Sequence, residues 1–475
     1  MNRKSLLFAL FGWLLSLYPL SAVGKHAANA VELKPRILIL TDIAPSDVEP
    51  DDMESMIRLL AHADLFEIEG LVTSTGWNTS NYPEAWAKIL QQVIDAYEKD
   101  VANLMRRSEQ TSFLPLDREQ EKQALGYWPS AGYLRSRSVM GSTKMGYRVL
   151  GTDNHSAGSE LIIRLADEDD ARPLWILAWG GANTLAQAIW KVRQERSEEQ
   201  INEFLHKLCL YTITDQDVGW GERHSNYPFS SHQWMRKVAG KEMLFIWDES
   251  AWLSQNSLGS IHWAEYAEQI QGHGSMGAIY PKYKYGVEGD TPSFLHVLPN
   301  GLNDPTQPGQ GGWGGYFVWE TGMDKAAHVW TNSNDSIKKI SQRYEGYFYP
   351  AVFNNFAARM EWAKTGKGNR NPIVTVNGHQ GMEILTLDSK PGKTVTLDAS
   401  KSTDPDRDAL TFRWWIYPEA GTYKGTVALT GENTARATIK MPTDAAGKTI
   451  HVVCEVTDNG TPRLTNYRRV ILRLP

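Results

Sequence analysis

The sequence predicts an α/β chain with a mainly parallel open sheet flanked by helices, followed by a small all-β sandwich. Three observations carry this. Ile37 to Leu40 is wholly apolar, as expected of a parallel strand covered on both faces. Met53, Met56, Ile57, Leu60 and Ala63 then recur at helical spacing, and Ile68 to Ser74 reads as the next strand, which completes a βαβ unit. Beyond Asn371 the pattern changes to short alternating segments between turn-formers, the signature of a sandwich.

Each element follows in order. Residues 1–30 have a basic start (Arg3, Lys4), an apolar run from Leu6 to Leu20 and an Ala28-Asn29-Ala30 site, and read as a secretory signal peptide with Val31 as the mature N-terminus. Cleavage near Ala22 and an uncleaved anchor are the alternatives, but the run is short for a membrane span. Export places the mature chain in a periplasm or outside the cell. Residues 31–365 form the α/β part. After the first βαβ unit, 173–181 reads as a strand, 183–192 as a helix, and 208–214 and 242–247 as further strands. Residues 97–152, rich in charge and Gly, read as long connections over the sheet. Residues 364–372 (KTGKGNRNP) lack apolar periodicity and read as a linker, and 371–475 as the sandwich.

Composition narrows the function. The 475 residues carry a net charge of -6 with both signs interspersed, so no basic stripe is offered to nucleic acid. Eighteen Trp and 19 Tyr supply flat amphipathic rings that suit sugar faces as well as cores. Cys209 and Cys454 lie in separate apolar runs and read as buried free thiols. G-H-G-S-M-G at 272–277 follows a helical stretch rather than a strand, so it is discounted as a dinucleotide site. The oligomeric state is left open, a homo-oligomer included.

The chemistry gathers in 38–56, where Asp42, Asp47, Glu49, Asp51 and Asp52 sit directly after a strand, at the edge where open α/β sheets bind ligands. Asp51 and Asp52 alone could serve the dipole of the following helix. The further acids need another explanation, because like charges this close require a cation, shared protons or solvent. Hard divalent cations such as calcium take about six to eight oxygen ligands.

Asp42 followed by Asp51-Asp52 resembles the aspartate signature of nucleoside hydrolases, Asp-x-Asp-Pro-Gly-x-Asp-Asp. Thr41, Asp42, Glu49, Pro50, Asp51, Asp52, Ser55 and Arg58 are closer still to a bacterial cellulose-binding, nucleoside-hydrolase-like family. The spacer Ile43 to Val48 is longer than the nucleoside hydrolase pattern. WGGANTLAQAI (179–189) resembles the turn whose backbone carbonyl joins the calcium shell, here that of Asn183, and EGDTPSFL (288–295) the segment whose aspartate completes it, here Asp290.

The resemblance implies calcium held by Asp42, Asp52, Asn183 and Asp290, with Asp42 taking a proton from water and Asp51 bonding a sugar hydroxyl. Gly289 stands where many nucleoside hydrolases carry a leaving-group histidine. Glu288 is then the candidate acid, with Asp215, Asp217 and His224 in a polar loop as further candidates for that role and for contact with the sugar, and Trp313 in a Gly-rich loop as a candidate lid. The C-terminal part resembles PKD-type immunoglobulin-like modules: Trp414 or Trp415 is expected in its core, and Asp404, Asp406 and Asp408 read as an Asx-rich turn or a second calcium site. Two readings stand: a secreted calcium-dependent hydrolase of N-glycosyl or related glycosyl bonds, and a non-catalytic protein binding cellulose or another polysaccharide on the same scaffold. The aspartate set favours the first.

Overall fold

The strand β1 (Arg36–Thr41) lies inside an open sheet with all six residues buried. The sheet continues through β2 (Glu67–Thr73), β3 (Ser138–Met140), β4 (Leu174–Ala178), β5 (Leu208–Ile213), β6 (Leu244–Asp248), β7 (Val318–Thr321) and β8 (His328–Thr331), in the order β3-β2-β1-β4-β5-β6-β8-β7. Neighbours run parallel except β7 against β8. Ile37 and Ile39 face one core layer with Trp175 and Leu177, while Leu38 and Leu40 face the other with Leu174 and Ile176. Alternate side chains serving two cores explain the unbroken apolar run. The computed structural model describes residues 32–77, 81–217 and 227–475. The expected signal peptide and His224 lie outside the described residues.

The helices that matter for the site are α1 (Asp51–Leu60), α2 (Ala87–Arg107), α3 (Asn183–Glu195), α4 (Ala251–Ile261), α5 (Thr291–Val297) and α6 (Asp335–Thr365). Residues 97–152 do more than connect. Val93, Ile94, Tyr97, Val101 and Leu104 are buried along α2, which therefore runs on to Arg107, and β3 adds an edge strand beside β2. The charged residues there occupy the solvent face of α2 and masked its period. No helix among the described residues is long and apolar enough to cross a membrane.

The C-terminal strands begin with a small hairpin, β9 (Thr375–Val376) and β10 (His379–Gln380). Then come β11 (Leu385–Asp388), β12 (Thr394–Asp398), β13 (Thr411–Ile416), β14 (Ala428–Thr430), β15 (Arg436–Lys440), β16 (Lys448–Thr457) and β17 (Thr465–Leu474). They form two sheets, β11-β17-β16-β13 and β12-β15-β14, around a core that holds Trp414 and Cys454. Trp415, one residue on, points the other way and stacks on Tyr344 of α6 at 6.0 Å. Tyr417 meets the same ring at 4.2 Å, and the buried Arg469 donates to the carbonyls of Leu302 and Gly311. Asp406 pairs with Arg107 at 2.5 Å and Arg370 at 2.9 Å, and Asp404 Oδ1 accepts from the amides of Asp406 and Asp408, an Asx turn. The stretch expected as a linker is fastened too. Gly366 caps α6 in the left-handed region at φ +67°, and Asn369 donates to Asp458 and to the Pro462 carbonyl.

Candidate functional site

Asp42 follows β1 and is 1% exposed. It fits there because two glycines make room: a β-carbon on Gly76 would fall 2.1 Å from its Oδ2, and one on Gly180 2.6 Å from its Oδ1. The loops that carry these glycines are pinned to the same strand ends. Ser74 N–H donates to Thr41 O, Trp179 N–H to Leu40 O, and Gly181 N–H to Thr75 O.

Pro50 is the N-cap of α1 and provides no side-chain cap, so Asp51 and Asp52 open the helix where its free N–H groups favour anions. The Thr41 hydroxyl donates to Asp52 Oδ1. Carboxylate oxygens of Glu49, Asp51 and Asp52 lie within 4.8 Å of one another. Asp290, N-cap of α5, joins this field from the far end of the chain. Burial, then the charges of Asp52, Asp51, Asp42 and Glu49, hold the Asp290 carboxyl far above the ordinary carboxylate range. Asp52 is raised in the same way by burial, Asp42, Asp51 and Glu49, and Asp51 is pushed up to about 6, chiefly by burial.

The donor set suits a hard cation. The buried oxygens Asp51 Oδ1, Asp290 Oδ2, Asn183 Oδ1 and Asn256 Oδ1 have no hydrogen-bond partner. Anionic and amide oxygens left without donors at one strand edge are the ligands that calcium prefers. The Asn183 expectation changes in one respect. As first residue of α3 its carbonyl points along the helix to serve the first turn, so the oxygen left over is the side-chain Oδ1. That atom sits beside Gly181, whose β-carbon would fall 3.2 Å from it and 2.6 Å from Asp217 Oδ1.

The remaining sequence candidates fall elsewhere. Asp217 accepts from the amides of Ala182 (3.0 Å) and His232 (2.9 Å) and from the Ser231 hydroxyl, so it fastens the 180–183 turn. Asp215 accepts the Ser230 hydroxyl at 2.7 Å and is pushed up to about 8 by burial and by Asp217. Glu288 is wholly buried, and its carboxylate takes Arg58 at 2.5 Å, Tyr280 at 2.9 Å, Tyr266 at 3.1 Å and Gln255 at 3.1 Å. An acid so fully occupied has no geometry for a leaving group. Trp313 is 4% exposed and donates to the Tyr467 hydroxyl at 3.2 Å, so it belongs to the seam with the sandwich rather than to a lid.

Residues that sequence reasoning missed complete the site. Asn256, on α4, approaches Asp51 from the opposite side: a β-carbon on Gly289 would fall 2.7 Å from Asp51 Oδ2 and 3.1 Å from Asn256 Oδ1. One turn earlier on α4, Trp252 meets Trp77 edge to face at 6.2 Å, and Trp77 directly follows the glycine that backs Asp42. Tyr82 donates to Ile43 O at 2.8 Å, and burial with the Asp52 and Asp42 charges raises its phenol. No local pattern marks these residues, since each is brought in by topology.

Residues 36–317 match the family described as cellulose-binding Sde182, nucleoside hydrolase-like domain, and residues 394–474 match the cellulose-binding protein Sde0182 C-terminal domain. A solved structure from Saccharophagus degradans, described as a nucleoside hydrolase-related hypothetical protein associated with carbohydrate metabolism, is 34% identical. It covers 93% of this chain and 100% of its own, with a TM-score of 0.78. A PKD domain (22% identity, TM-score 0.15, 19% of this chain and 80% of its own) and the type III effector XopQ (10%, 0.31, 70% and 95%) are similar only remotely. No curated protein matches the sequence. The family match spans more than half of the chain, and the chain belongs to the cellulose-binding Sde182 family with a nucleoside hydrolase-like domain.

Proposed function

We propose that the acidic centre binds a hard divalent cation, calcium by its oxygen donors, and hydrolyses N-glycosyl or related glycosyl bonds of a small glycoside outside the cytoplasm. The observation that carries this is the field of Asp42, Glu49, Asp51, Asp52 and Asp290, with unpartnered buried oxygens on Asp51 and Asp290. Asp42, Asp52 and Asp290 would hold the cation, which supplies a polarised water and a grip on vicinal hydroxyls. Asp42 accepts a proton from water, and Asp51 orients a sugar hydroxyl. The carboxylates together stabilise positive charge developing on the sugar ring. Trp77, half-buried and backed by Trp252, would offer its ring to the substrate's apolar surface.

Protonation of the leaving group is the weak step. Gly289 brings no acid and Glu288 is committed to Arg58, so good leaving groups are favoured. The experiment is a paired assay with calcium: turnover of a nitrophenyl riboside that greatly exceeds that of inosine, abolished by Asp42→Asn, supports hydrolysis. The second reading, polysaccharide binding without catalysis, is favoured by the family's description as cellulose-binding and by the same Gly289. Retention on cellulose with calcium bound and no turnover of either substrate would decide for it.

A further inference from the structure

The residues that close the acidic centre from the far side form a zipper along one face of α1. Gly289 packs against the Asp51 carboxylate, so that a β-carbon on it would fall 2.7 Å from Oδ2. Glu288 N–H donates to Glu54 Oε2 at 2.7 Å, Thr291 Oγ1 to Ser55 Oγ at 3.2 Å, and Arg58 Nη1 to the Glu288 carboxylate at 2.5 Å. Asp51, Glu54, Ser55 and Arg58 are spaced by three and four residues, the spacing of one helix face. The segment they grip, 288–291, carries Asp290. It is also bent unusually, since Glu288 sits in the left-handed region at φ +55°, which a residue with a side chain adopts only when its surroundings impose it. What imposes it is on hand: the Glu288 side chain is held by Arg58, Tyr266, Tyr280 and Gln255, and Arg58 is itself held by the Val352 carbonyl.

We propose that Arg58 and Glu288 are positioning residues that fix Asp290 opposite Asp52, so that the two arms of the cation site, over 200 residues apart in sequence, keep one separation. The inference rests on the reading of the acidic centre as a cation site. The left-handed bend at Glu288 brings Gly289 against Asp51 and sets Asp290 at the head of α5. The ion pair makes that bend the single available one. Ser55 and Arg58, buried polar residues of α1, thereby have a reason to be there.

The test is calcium titration by calorimetry on the full chain, with melting temperature in chelator measured on the same samples. Glu288→Gln should weaken calcium binding by about 10- to 100-fold, the usual cost of losing a group that orients a ligand. Because Glu288→Gln leaves Arg58 buried without its partner, a second variant, Arg58→Met with Glu288→Leu, removes both charges. It should melt lower than wild type in chelator, because the Tyr266 and Tyr280 hydroxyls and the Val352 carbonyl lose their partners, and below that melting transition it should keep the weakened affinity. Thr291→Val, which cuts one link and leaves the ion pair, should weaken binding by a smaller factor. Calcium affinity within twofold of wild type in the double variant overturns the positioning role and leaves the cation site standing. A wild-type chain that binds no calcium overturns the cation reading and this inference with it.

Discussion

Gly289 lies against Asp51 so closely that a β-carbon there would sit 2.7 Å from Oδ2. The position at which nucleoside hydrolases often carry a histidine is therefore closed by the acid that should orient the sugar. Gly289→His should not restore a general acid. It should displace Asp51, lower calcium affinity about tenfold or more as a misplaced ligand environment does, and leave inosine cleavage no faster. An inosine rate that rises in this variant would show that Asp51 yields freely.

Removing one of the mutually repelling carboxylates should separate binding from stability. Asp52→Asn and Asp290→Asn are expected to abolish measurable calcium binding while raising the melting temperature in chelator, by at least about 2 °C. The sign follows from buried like charges that the cation-free chain must carry or protonate. Differential scanning calorimetry with and without calcium checks both halves. Variants that melt lower in chelator would mean that their side-chain bonds outweigh the repulsion.

The pH dependence has a definite direction. Asp51 is pushed up to about 6 and Asp215 to about 8, from an ordinary value near 3.9. A carboxyl raised on folding holds its proton more tightly in the folded chain. Its stabilising contribution is complete below about pH 4 and is lost as pH rises through the folded value. In chelator these two groups should cost stability as pH rises toward 6 and again toward 8. Saturating calcium should cancel the first loss and not the second, because Asp215 is bonded to Ser230. Melting temperatures from pH 4 to 9, with Asp215→Asn as a control for the second step, decide it.

The seam between the two parts should be strong. Arg469 is fully buried and donates to the carbonyls of Leu302 and Gly311, so Arg469→Met orphans two acceptors, each worth about 1–3 kcal/mol when left buried and unpaired. A chain ended at Thr365 would uncover Trp313, Tyr344 and Phe348 at once. It is expected to bind a hydrophobic dye and to melt lower than the full chain. Equal melting temperatures would show that the sandwich adds nothing to the stability of its neighbour.

Much of the fold was legible because strands buried on two faces and helices buried on one write different periods into the sequence. β1, β2, β4, β5 and β6 could be read that way. The last turns of α2 could not, because the charges on its outer face hide the stripe beneath. At the acidic centre, the crowding of Asp42, Asp51 and Asp52 was legible since they follow a strand and open a helix, whereas Asp290 was reached only through the resemblance of its segment to a known family; the fold brings the four carboxyls into one field. Asn256, Trp77 and Trp252 were not, since nothing near them in sequence marks the neighbours that the topology supplies. Glu288 and Trp313 show the converse limit. An acid beside a site residue and an aromatic in a glycine-rich loop look functional in sequence, but the direction of a side chain is decided by partners far along the chain, Arg58 in one case and Tyr467 in the other.

The alternation of β1 between two cores also bears on how this sequence can have diverged. One residue gained or lost within Arg36–Thr41 would exchange the layers served by Ile37 and Leu38 and turn Asp42 to the wrong side of the sheet, so drift in length is barred there. The stretch from Ile43 to Val48 carries no such bar, and it is where the spacing already exceeds the nucleoside hydrolase pattern. Insertions among distant relatives should therefore collect between the strand tip and Pro50, and the surface beside the acidic centre can diversify there while the acids keep their places.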